Sequence, residues 1–302
     1  MRGQEYAEGI AAGDAITPAV HPELPSDPPL RHVTVAGRRV TWVEAGPSDG
    51  PCVVMVHGLP GSHRDFRWLA PPLEAAGLRV IRLDMPGFGG SDPTTPRLSA
   101  LAEHVLACLD VLALERVVLL GHSFGGAQAL VAASRDAARV RGLALVSSVG
   151  LRPHRGLRAV AGLGLVNRML ATPGLRRPLM RRVRADFRRA GFSRATPDAE
   201  IRRSLRVVAA VDFQLLRVAA AAVRVPSFVV ACDDDRLIEP AIAEELGAAL
   251  PEGPRLRFAT GGHNPQKTWA CEIAEALAPW VRAQVVASEV ASEVASCQAP
   301  EP

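Results

Sequence analysis

The stretch RVVLLGHSFGG, residues 116–126, places one serine between glycines at the end of a solidly apolar run. The run predicts a strand buried on both faces, and the small residues AQALVAAS that follow (127–134) predict a helix. GHSFG fits the pattern G-x-S-x-G, in which glycines permit a tight strand-to-helix turn that exposes the serine hydroxyl. We therefore predict that Ser123 is a nucleophile at the carboxyl edge of a sheet. The alternative is a serine that only caps the following helix.

Strand-like and helix-like segments alternate around this turn. The first two strand patterns alternate apolar and polar residues, which is typical of an antiparallel pair at a sheet edge, while several later ones are apolar throughout. The sequence predicts an α/β fold with a mostly parallel sheet of about eight strands, wrapped by helices and carrying an inserted helical cap. The predicted strands are 32–35, 39–45, 52–57, 78–84, 116–122, 142–148, 227–233 and 255–260.

The alternation breaks near residue 150, and the charge changes there. Residues 151–210 contain 15 arginines and three acidic residues, a net charge of +12, whereas the whole chain carries +4 and the remainder therefore −8. We predict a core of residues 31–149 and 216–284 and an Arg-rich helical cap of residues 150–215, called the cap segment below. Residues 1–30 predict a flexible Pro-rich arm and residues 285–302 a flexible tail.

The charge of the cap segment has several interpretations. The favoured one is electrostatic anchoring of the cap to the acidic core, and the others are steering of anionic substrates or a surface for anionic lipid or nucleic acid. The chain has a single lysine, so part of the excess is simply a preference for arginine. Aromatic residues for base stacking do not interleave with the arginines, so we expect no nucleic-acid partner and regard a membrane surface as the weaker interpretation.

The bulk composition sets further limits. Hydrophobic residues make up 48% of the 302-residue chain, and the five cysteines form no CxxC pair. Most cysteines lie inside apolar segments, which indicates buried thiols in a reducing compartment. The N-terminal segment lacks the apolar region of a secretory signal, and no apolar run is long enough to span a membrane. We expect a cytoplasmic protein with a small-molecule substrate and no cofactor or metal; the sequence leaves the oligomeric state open.

A serine hydroxyl needs a base, and a histidine base needs an acidic partner. The candidate base is His263 in TGGHNP, in the loop after the last predicted strand. His122 adjoins the serine, but neighbouring residues in a tight turn point apart, so we interpret it as a packing residue. Three acids, Asp233, Asp234 and Asp235, follow the strand before that loop. Their residue type alone does not choose among them.

The order of Ser123, an acid after a late strand, and His263 resembles the α/β-hydrolase fold family. The family's spacing before an Arg-Leu-Ile turn implies Asp235, with Asp234 as a competitor because Cys232 replaces a common glycine. The loop HGLPGS (57–62) is similar to the family's HG-x-P loop and implies that Leu59 N–H, together with Phe124 N–H, holds the oxyanion. His57 is interpreted as structural. DMPGFGGSD (84–92) resembles a family loop whose turns shape the pocket wall.

The resemblance also narrows the chemistry. Haloalkane dehalogenases and epoxide hydrolases of this family have an aspartate at the turn and dienelactone hydrolases a cysteine, so a serine implies acyl chemistry. We expect hydrolysis of an ester, lactone, thioester or ketone-adjacent C–C bond, most simply a carboxylic ester. The alternatives are cofactor-free haloperoxidase or acyltransferase-like activity, or a non-catalytic small-molecule-binding protein of the same fold.

Overall fold

A computed structural model describes residues 26–158, 162–189 and 192–297 of the chain. Its centre is a sheet of eight strands in the order β1-β2-β4-β3-β5-β6-β7-β8. β2 runs antiparallel to β1 and β4, and the other neighbours are parallel. This confirms the predicted fold class. The strands are β1 Arg31–Val35, β2 Arg38–Ala45, β3 Cys52–Val56, β4 Arg79–Leu83, β5 Val117–His122, β6 Val140–Val146, β7 Ser227–Cys232 and β8 Arg255–Phe258.

The inner strands have no solvent-facing side. Every residue of β3, β5 and β7 is buried, because helices cover both faces of the sheet. Alternate residues of β3 serve the two faces: Val54 and Val56 join one hydrophobic cluster, and Val53 and Met55 join the other. The described helices are α1 Ala70–Ala75, α2 Leu98–Val111, α3 Phe124–Arg135, α4 Arg155–Arg158, α5 Leu163–Ala171, α6 Arg176–Arg189, α7 Asp198–Ala209, α8 Phe213–Ala222, α9 Pro240–Ala249, α10 Pro265–Thr268 and α11 Ala270–Cys297.

The cap segment lies between β6 and β7 and has a small apolar core of its own. Helices α5, α6 and α7 supply its buried residues, which include Leu163, Met180 and Leu205. The structure moves the boundary that we expected at residue 215. Helix α8 begins at Phe213 and packs its apolar face, including Leu216, into the core cluster that also contains α3. The cap helices proper are therefore α4 to α7.

The ion pairs of the cap refine the expectation that its charge anchors it to the core. Arg152 bridges from the cap segment to Glu239 and Glu245 at 3.1 and 2.7 Å. In the arginine-rich helix α6 the partners lie within the cap segment instead: Arg184 pairs with Asp198, and Arg182 and Arg189 pair with Asp186. The described ion pairs from the cap segment to the core therefore lie at the base of the cap rather than on α6.

The described parts of the two ends of the chain differ from the flexible arm and flexible tail that the sequence predicts. Within the predicted arm, residues 1–25 lie outside the described residues, while Asp27 forms ion pairs with Arg82 at 2.9 Å and Arg64 at 3.4 Å. Helix α11 continues to Cys297, so residues 285–297 are helical rather than the tail that we expected. The physical reason is the repeated alanine and glutamate of this stretch, both strong helix formers. Residues 298–302 lie outside the described part. Across the described ranges, no helix has both the length and the hydrophobicity needed to cross a membrane.

Candidate active site

Ser123 occupies the turn between β5, which ends at His122, and α3, which begins at Phe124. Its backbone has φ of +54° and ψ of −121°. Positive φ is unfavourable for a residue with a Cβ atom and is retained only where the surrounding structure enforces it. This strained turn places the hydroxyl at the carboxyl edge of the sheet, as the sequence predicts.

The glycines of the motif are required by close approach of backbone segments. A Cβ atom at Gly121 would lie 2.4 Å from Cα of Gly126, and one at Gly125 would lie 2.1 Å from the carbonyl oxygen of Val56. No side chain fits at either distance. The two glycines flanking the serine therefore allow α3 to start directly against β3 and β5, which fixes the direction of the serine side chain.

The structure brings Ser123, His263 and Asp235 together. The hydroxyl of Ser123 lies 2.9 Å from Nε2 of His263, and Nδ1 of His263 lies 2.8 Å from Oδ2 of Asp235. Because a carboxylate only accepts, Nδ1–H donates to Asp235 and Nε2 is left to accept the proton of Ser123. His263 sits in the loop between β8 and α10, and Asp235 lies just beyond β7. The arrangement can move a proton from serine to imidazole.

The carboxylate of Asp235 is buried and held by its own loop. Its Oδ1 accepts hydrogen bonds from the backbone N–H groups of Leu237 at 2.8 Å and Ile238 at 3.0 Å. Burial raises the pKa of Asp235, but the hydrogen bond from His263, its positive charge when protonated, and the two N–H groups together leave the pKa below its usual value. Asp235 is therefore ionised at neutral pH and stabilises a protonated His263.

The neighbouring acids have other partners. Asp233 pairs with Arg257 at the protein surface. Asp234 accepts hydrogen bonds from the backbone N–H groups of Gly261 at 3.3 Å and Gly262 at 2.7 Å, in the loop that leads to His263. Asp234, which the sequence left as a competitor, thus holds the loop of the base, and Asp235 contacts the imidazole.

The backbone N–H groups of Leu59 and Phe124 are the oxyanion donors that the sequence predicts. Leu59 and Phe124 both line the cavity in which Ser123 lies. Phe124 is the first residue of α3, so its N–H has no acceptor within the helix. A Cβ atom at Gly58 would lie 2.9 Å from Cβ of Ser123, so the loop that carries Leu59 passes directly over the serine. Both residues therefore lie close to Ser123, as the prediction requires.

His57 and His122 support this loop and the base. Nε2 of His57 accepts from the N–H of Met85 at 2.9 Å, and its Nδ1–H donates to the carbonyl of Gly58 at 2.7 Å, which fits its predicted structural role. His122 does more than pack, because its Nε2 donates to the carbonyl oxygen of His263 at 2.8 Å. Burial, with His263 nearby, lowers the pKa of His122 to about 3. Sequence reasoning missed this neutral donor, and adjacency to the serine was its only signal.

The residues that line the cavity include none from Asp84 to Asp92, which corrects the expectation that the turns of this loop shape the pocket wall. Asp84 accepts hydrogen bonds from Thr41 Oγ1, from Gly90 N–H, and from both N–H and Nδ1 of His63. Burial raises the pKa of Asp84, but these bonds outweigh burial and lower it to about 2. Asp84 therefore joins the start of the loop after β4 to His63, which follows the loop of residues 57–62.

A cavity of about 350 Å³ is lined by residues of the cap helices together with Ser123 and His263. This volume is within the range of small-molecule sites, which are mostly apolar with a few placed polar groups. Within the described residues, no group of three or more His, Cys, Asp or Glu side chains is arranged to hold a metal ion. The apolar residues that line the cavity include Leu59, Phe124, Val149, Leu157, Leu163, Val166, Val183, Phe187, Phe192, Leu205, Val208, Val211, Phe213, Leu237 and Ile238.

Residues 51–268 match the family model for the alpha/beta hydrolase fold. The chain is 28% identical to a magnesium-chelatase 30 kDa subunit from Rhodobacter capsulatus, over 85% of this chain and 98% of that protein. It is 37% identical to a 2-hydroxymuconate semialdehyde hydrolase from a Pseudomonas strain, over 44% of this chain and 48% of that protein. The similarity to an acetyltransferase component of an acetoin cleaving system from Pseudomonas putida covers only 38% of that protein.

Among solved structures, a haloalkane dehalogenase loop variant from Bradyrhizobium elkanii matches with a TM-score of 0.70. The identity is 24%, and the match covers 87% of this chain and 99% of the other. At this identity the likeness concerns the fold alone. The chain spans about half or less of the length of two of the three curated relatives described, whereas it matches the chelatase subunit along nearly its whole length.

Proposed function

The chain belongs to the α/β-hydrolase fold family, and from that premise we propose that it is a serine hydrolase that forms an acyl-enzyme. The observation that carries the proposal is the line of hydrogen bonds from Ser123 through His263 to Asp235. The substrate is a small molecule, and the bond cleaved is an ester, lactone, thioester or C–C bond beside a ketone. A carboxylic ester is the simplest case.

In the first half of the reaction, Oγ of Ser123 attacks the carbonyl carbon while Nε2 of His263 takes its proton. Charge develops on the carbonyl oxygen, and the N–H groups of Leu59 and Phe124 hold it. One such donor contributes about 10²–10³ in rate. The tetrahedral intermediate collapses, the bond to the leaving group breaks, and His263 returns the proton to that group. Asp235 keeps Nδ1 protonated throughout.

In the second half, water replaces the leaving group. His263 takes a proton from the water as it attacks the acyl carbon, and the same two N–H groups hold the second oxyanion. Collapse releases the acid and returns the proton to Ser123. Proton transfer in both halves uses Ser123, His263 and Asp235, which already lie within hydrogen-bonding distance of one another, so the proposed steps call for no cofactor.

The serine favours carbonyl substrates over halides and epoxides. Displacement at an alkyl carbon by Ser123 would leave an ether, which offers water no carbonyl carbon to attack. The similarity to a 2-hydroxymuconate semialdehyde hydrolase is a reason to test carbonyl compounds other than esters. Cofactor-free haloperoxidase or acyltransferase-like activity would use the same three residues, and product analysis separates them.

A second candidate function is a non-catalytic one, in which the cavity holds a small molecule. The near full-length similarity to a magnesium-chelatase 30 kDa subunit favours this candidate, because the hydrolase match covers less than half of either chain. Under this alternative the chain would bind its ligand or act as a subunit without acylation of Ser123.

Turnover of p-nitrophenyl acetate and butyrate distinguishes the two candidates. We expect hydrolysis by the wild type and loss of activity by at least about 10³-fold in Ser123→Ala. Ser204→Ala is the matched control, because Ser204 also lines the cavity but donates its hydroxyl to the carbonyl of Glu200. No turnover by the wild type, or equal turnover by the wild type and Ser123→Ala, would support the non-catalytic candidate.

We also propose a cytoplasmic location and no nucleic-acid or membrane partner. The cysteines Cys52, Cys108 and Cys232 are buried free thiols, and burial raises the pKa of Cys52 and of Cys108 to about 12. Such protonated thiols are unreactive packing residues, which is compatible with a reducing compartment. Labelling of the native protein with a thiol reagent tests their burial, and fractionation of cells tests the location.

A further inference from the structure

The polar groups that line the cavity are few, and most are already engaged. Ser123 and His263 belong to the catalytic set, and Ser204 donates its hydroxyl to the carbonyl of Glu200 at 2.9 Å. Asp186 pairs with Arg182 and Arg189. Among the lining residues that the structure describes, the remaining polar one is His154, which lies just before α4 at the base of the cap segment.

One edge of the His154 ring is fixed. Nδ1 lies 3.0 Å from the carbonyl oxygen of Leu237. The backbone N–H of Leu157 also approaches Nδ1, at 3.4 Å, but it donates to the carbonyl oxygen of His154 at 3.1 Å. The shorter contact with Leu237 therefore decides the tautomer: because a carbonyl only accepts, Nδ1 carries the hydrogen, and Nε2 of the neutral ring is an acceptor. Burial lowers the pKa of His154, which keeps the ring neutral. Among the described residues, no side chain or backbone group forms a hydrogen bond with Nε2, so His154 brings a free acceptor to a lining whose other described polar side chains are engaged.

The described side chains that line the cavity include no arginine or lysine to pair with a negatively charged ligand. The cap segment contains 15 of the chain's arginines between residues 151 and 210, yet none whose side chain the structure describes lines the cavity. An anionic group inside would lose its hydration without a compensating partner. A cationic group would meet Asp186, the one carboxylate among the described lining residues, already paired with Arg182 and Arg189. We therefore expect a ligand of this cavity to be uncharged and largely apolar, with a hydrogen-bond donor as its best-matched polar group.

We propose that His154 is a specificity-determining residue whose Nε2 accepts a hydrogen bond from a hydroxyl group of an uncharged, largely apolar carbonyl compound. The inference deepens the proposed function, since the carbonyl would lie at Ser123 and the hydroxyl at His154. Recognition by His154 does not require turnover. It can therefore hold or fail separately from the acyl-enzyme chemistry.

Two substitutions separate recognition from the structural bond to Leu237. In His154→Asn, the amide nitrogen lies near the former Nδ1 position, so the donor to Leu237 is kept and the acceptor is lost. In His154→Gln, the amide oxygen can occupy the former Nε2 position, so the acceptor is kept and the donor is lost. A purely structural His154 would tolerate Asn better than Gln, and a ligand-binding His154 would show the reverse preference for a hydroxylated ligand.

The experiment measures binding of straight-chain methyl ketones of increasing length, each with and without a terminal hydroxyl group, by titration calorimetry. In the wild type, we expect a preference at the chain length that reaches His154. There the hydroxylated ketone should bind about tenfold more tightly than the ketone without the hydroxyl group, once the affinities are corrected for the greater solubility of the hydroxylated ketone in water. This preference should disappear in His154→Asn and persist in His154→Gln. p-Nitrophenyl esters of acyl chains of increasing length, each with and without a terminal hydroxyl group, test whether the preference also appears in kcat/KM.

Three results would overturn the proposal. They are no corrected preference for any hydroxylated ketone in the wild type, equal preference in the wild type and His154→Asn, or no binding of either series. Loss of ester turnover alone, with the binding preference intact, would instead count against the acyl-enzyme chemistry and leave the role of His154 supported.

Discussion

His122 donates a hydrogen bond from Nε2 to the backbone carbonyl oxygen of His263 at 2.8 Å, across a sequence separation of 141 residues. The residue before the nucleophile thereby holds the loop that carries the base. The rings of the two histidines also contact each other, with centroids 5.1 Å apart. The position of His263 relative to Ser123 thus depends on the neutral side chain of His122, which takes no proton in the proposed mechanism.

Substitution of His122 tests this relationship. We expect His122→Phe, which keeps an aromatic ring and removes the donor, to lower kcat about tenfold with little change in KM, because the base is misplaced and the cavity is unchanged. His122→Gln is the control, since its amide can donate from nearly the same position. Steady-state kinetics with p-nitrophenyl butyrate measures both. Equal activity of His122→Phe and the wild type would contradict the positioning role.

The three consecutive acids should differ in their effects. Asp235→Asn should lower kcat by about 10³–10⁴, because an amide cannot hold Nδ1–H and stabilise the imidazolium as a carboxylate does. Asp234→Asn should have an intermediate effect through the loop of Gly261 and Gly262, and Asp233→Asn should have little. Circular dichroism of each variant controls for folding. Similar losses for Asp233→Asn and Asp235→Asn would show that the wrong carboxylate was assigned.

The main residues of this site can be predicted from the sequence, whereas the side chains that hold them in place cannot. Ser123 can be predicted because the glycines around it are required by local contacts. The backbone atoms that exclude a Cβ atom lie at the same strand-to-helix turn. The choice of Asp235 needed the family resemblance, because three adjacent acids are chemically alike. The role of His122 and the acceptor on His154 depend on contacts made only after the chain folds. Neither the end of the cap at α8 nor the extension of α11 was evident from periodicity.

The pH dependence of stability should report Asp84. Its pKa is lowered to about 2 in the folded protein from 3.8, so its carboxylate stabilises the fold above pH 4 by about 2 kcal/mol. This contribution is lost as the pH falls from about 4 to about 2. Asp84→Asn should therefore lower the free energy of unfolding at pH 6 and have a smaller effect near pH 2. Urea denaturation at both pH values measures the difference, and a larger effect at the lower pH would contradict the assignment.

A methyl group at the strand-to-helix turn should destabilise the fold. Gly125→Ala would place Cβ 2.1 Å from the carbonyl oxygen of Val56, and we expect a loss of about 2–3 kcal/mol because backbone must move. Gly164→Ala is the matched control, since a Cβ there meets no atom within 4 Å and the residue lies in α5. Alanine should stabilise that helix slightly. Thermal unfolding compares the two, and equal melting temperatures would contradict the packing argument.

The most direct test of the central claim is the mass of the protein during turnover. A sample quenched with acid while it hydrolyses p-nitrophenyl butyrate should contain chain whose mass is raised by one butyryl group, and peptide mapping should locate that group on Ser123. In Asp235→Asn the adduct should still map to Ser123, and in Ser123→Ala it should be absent. Two results would contradict the account. One is continued turnover while no adduct can be trapped, even in variants that slow deacylation, and the other is an adduct on a residue other than Ser123.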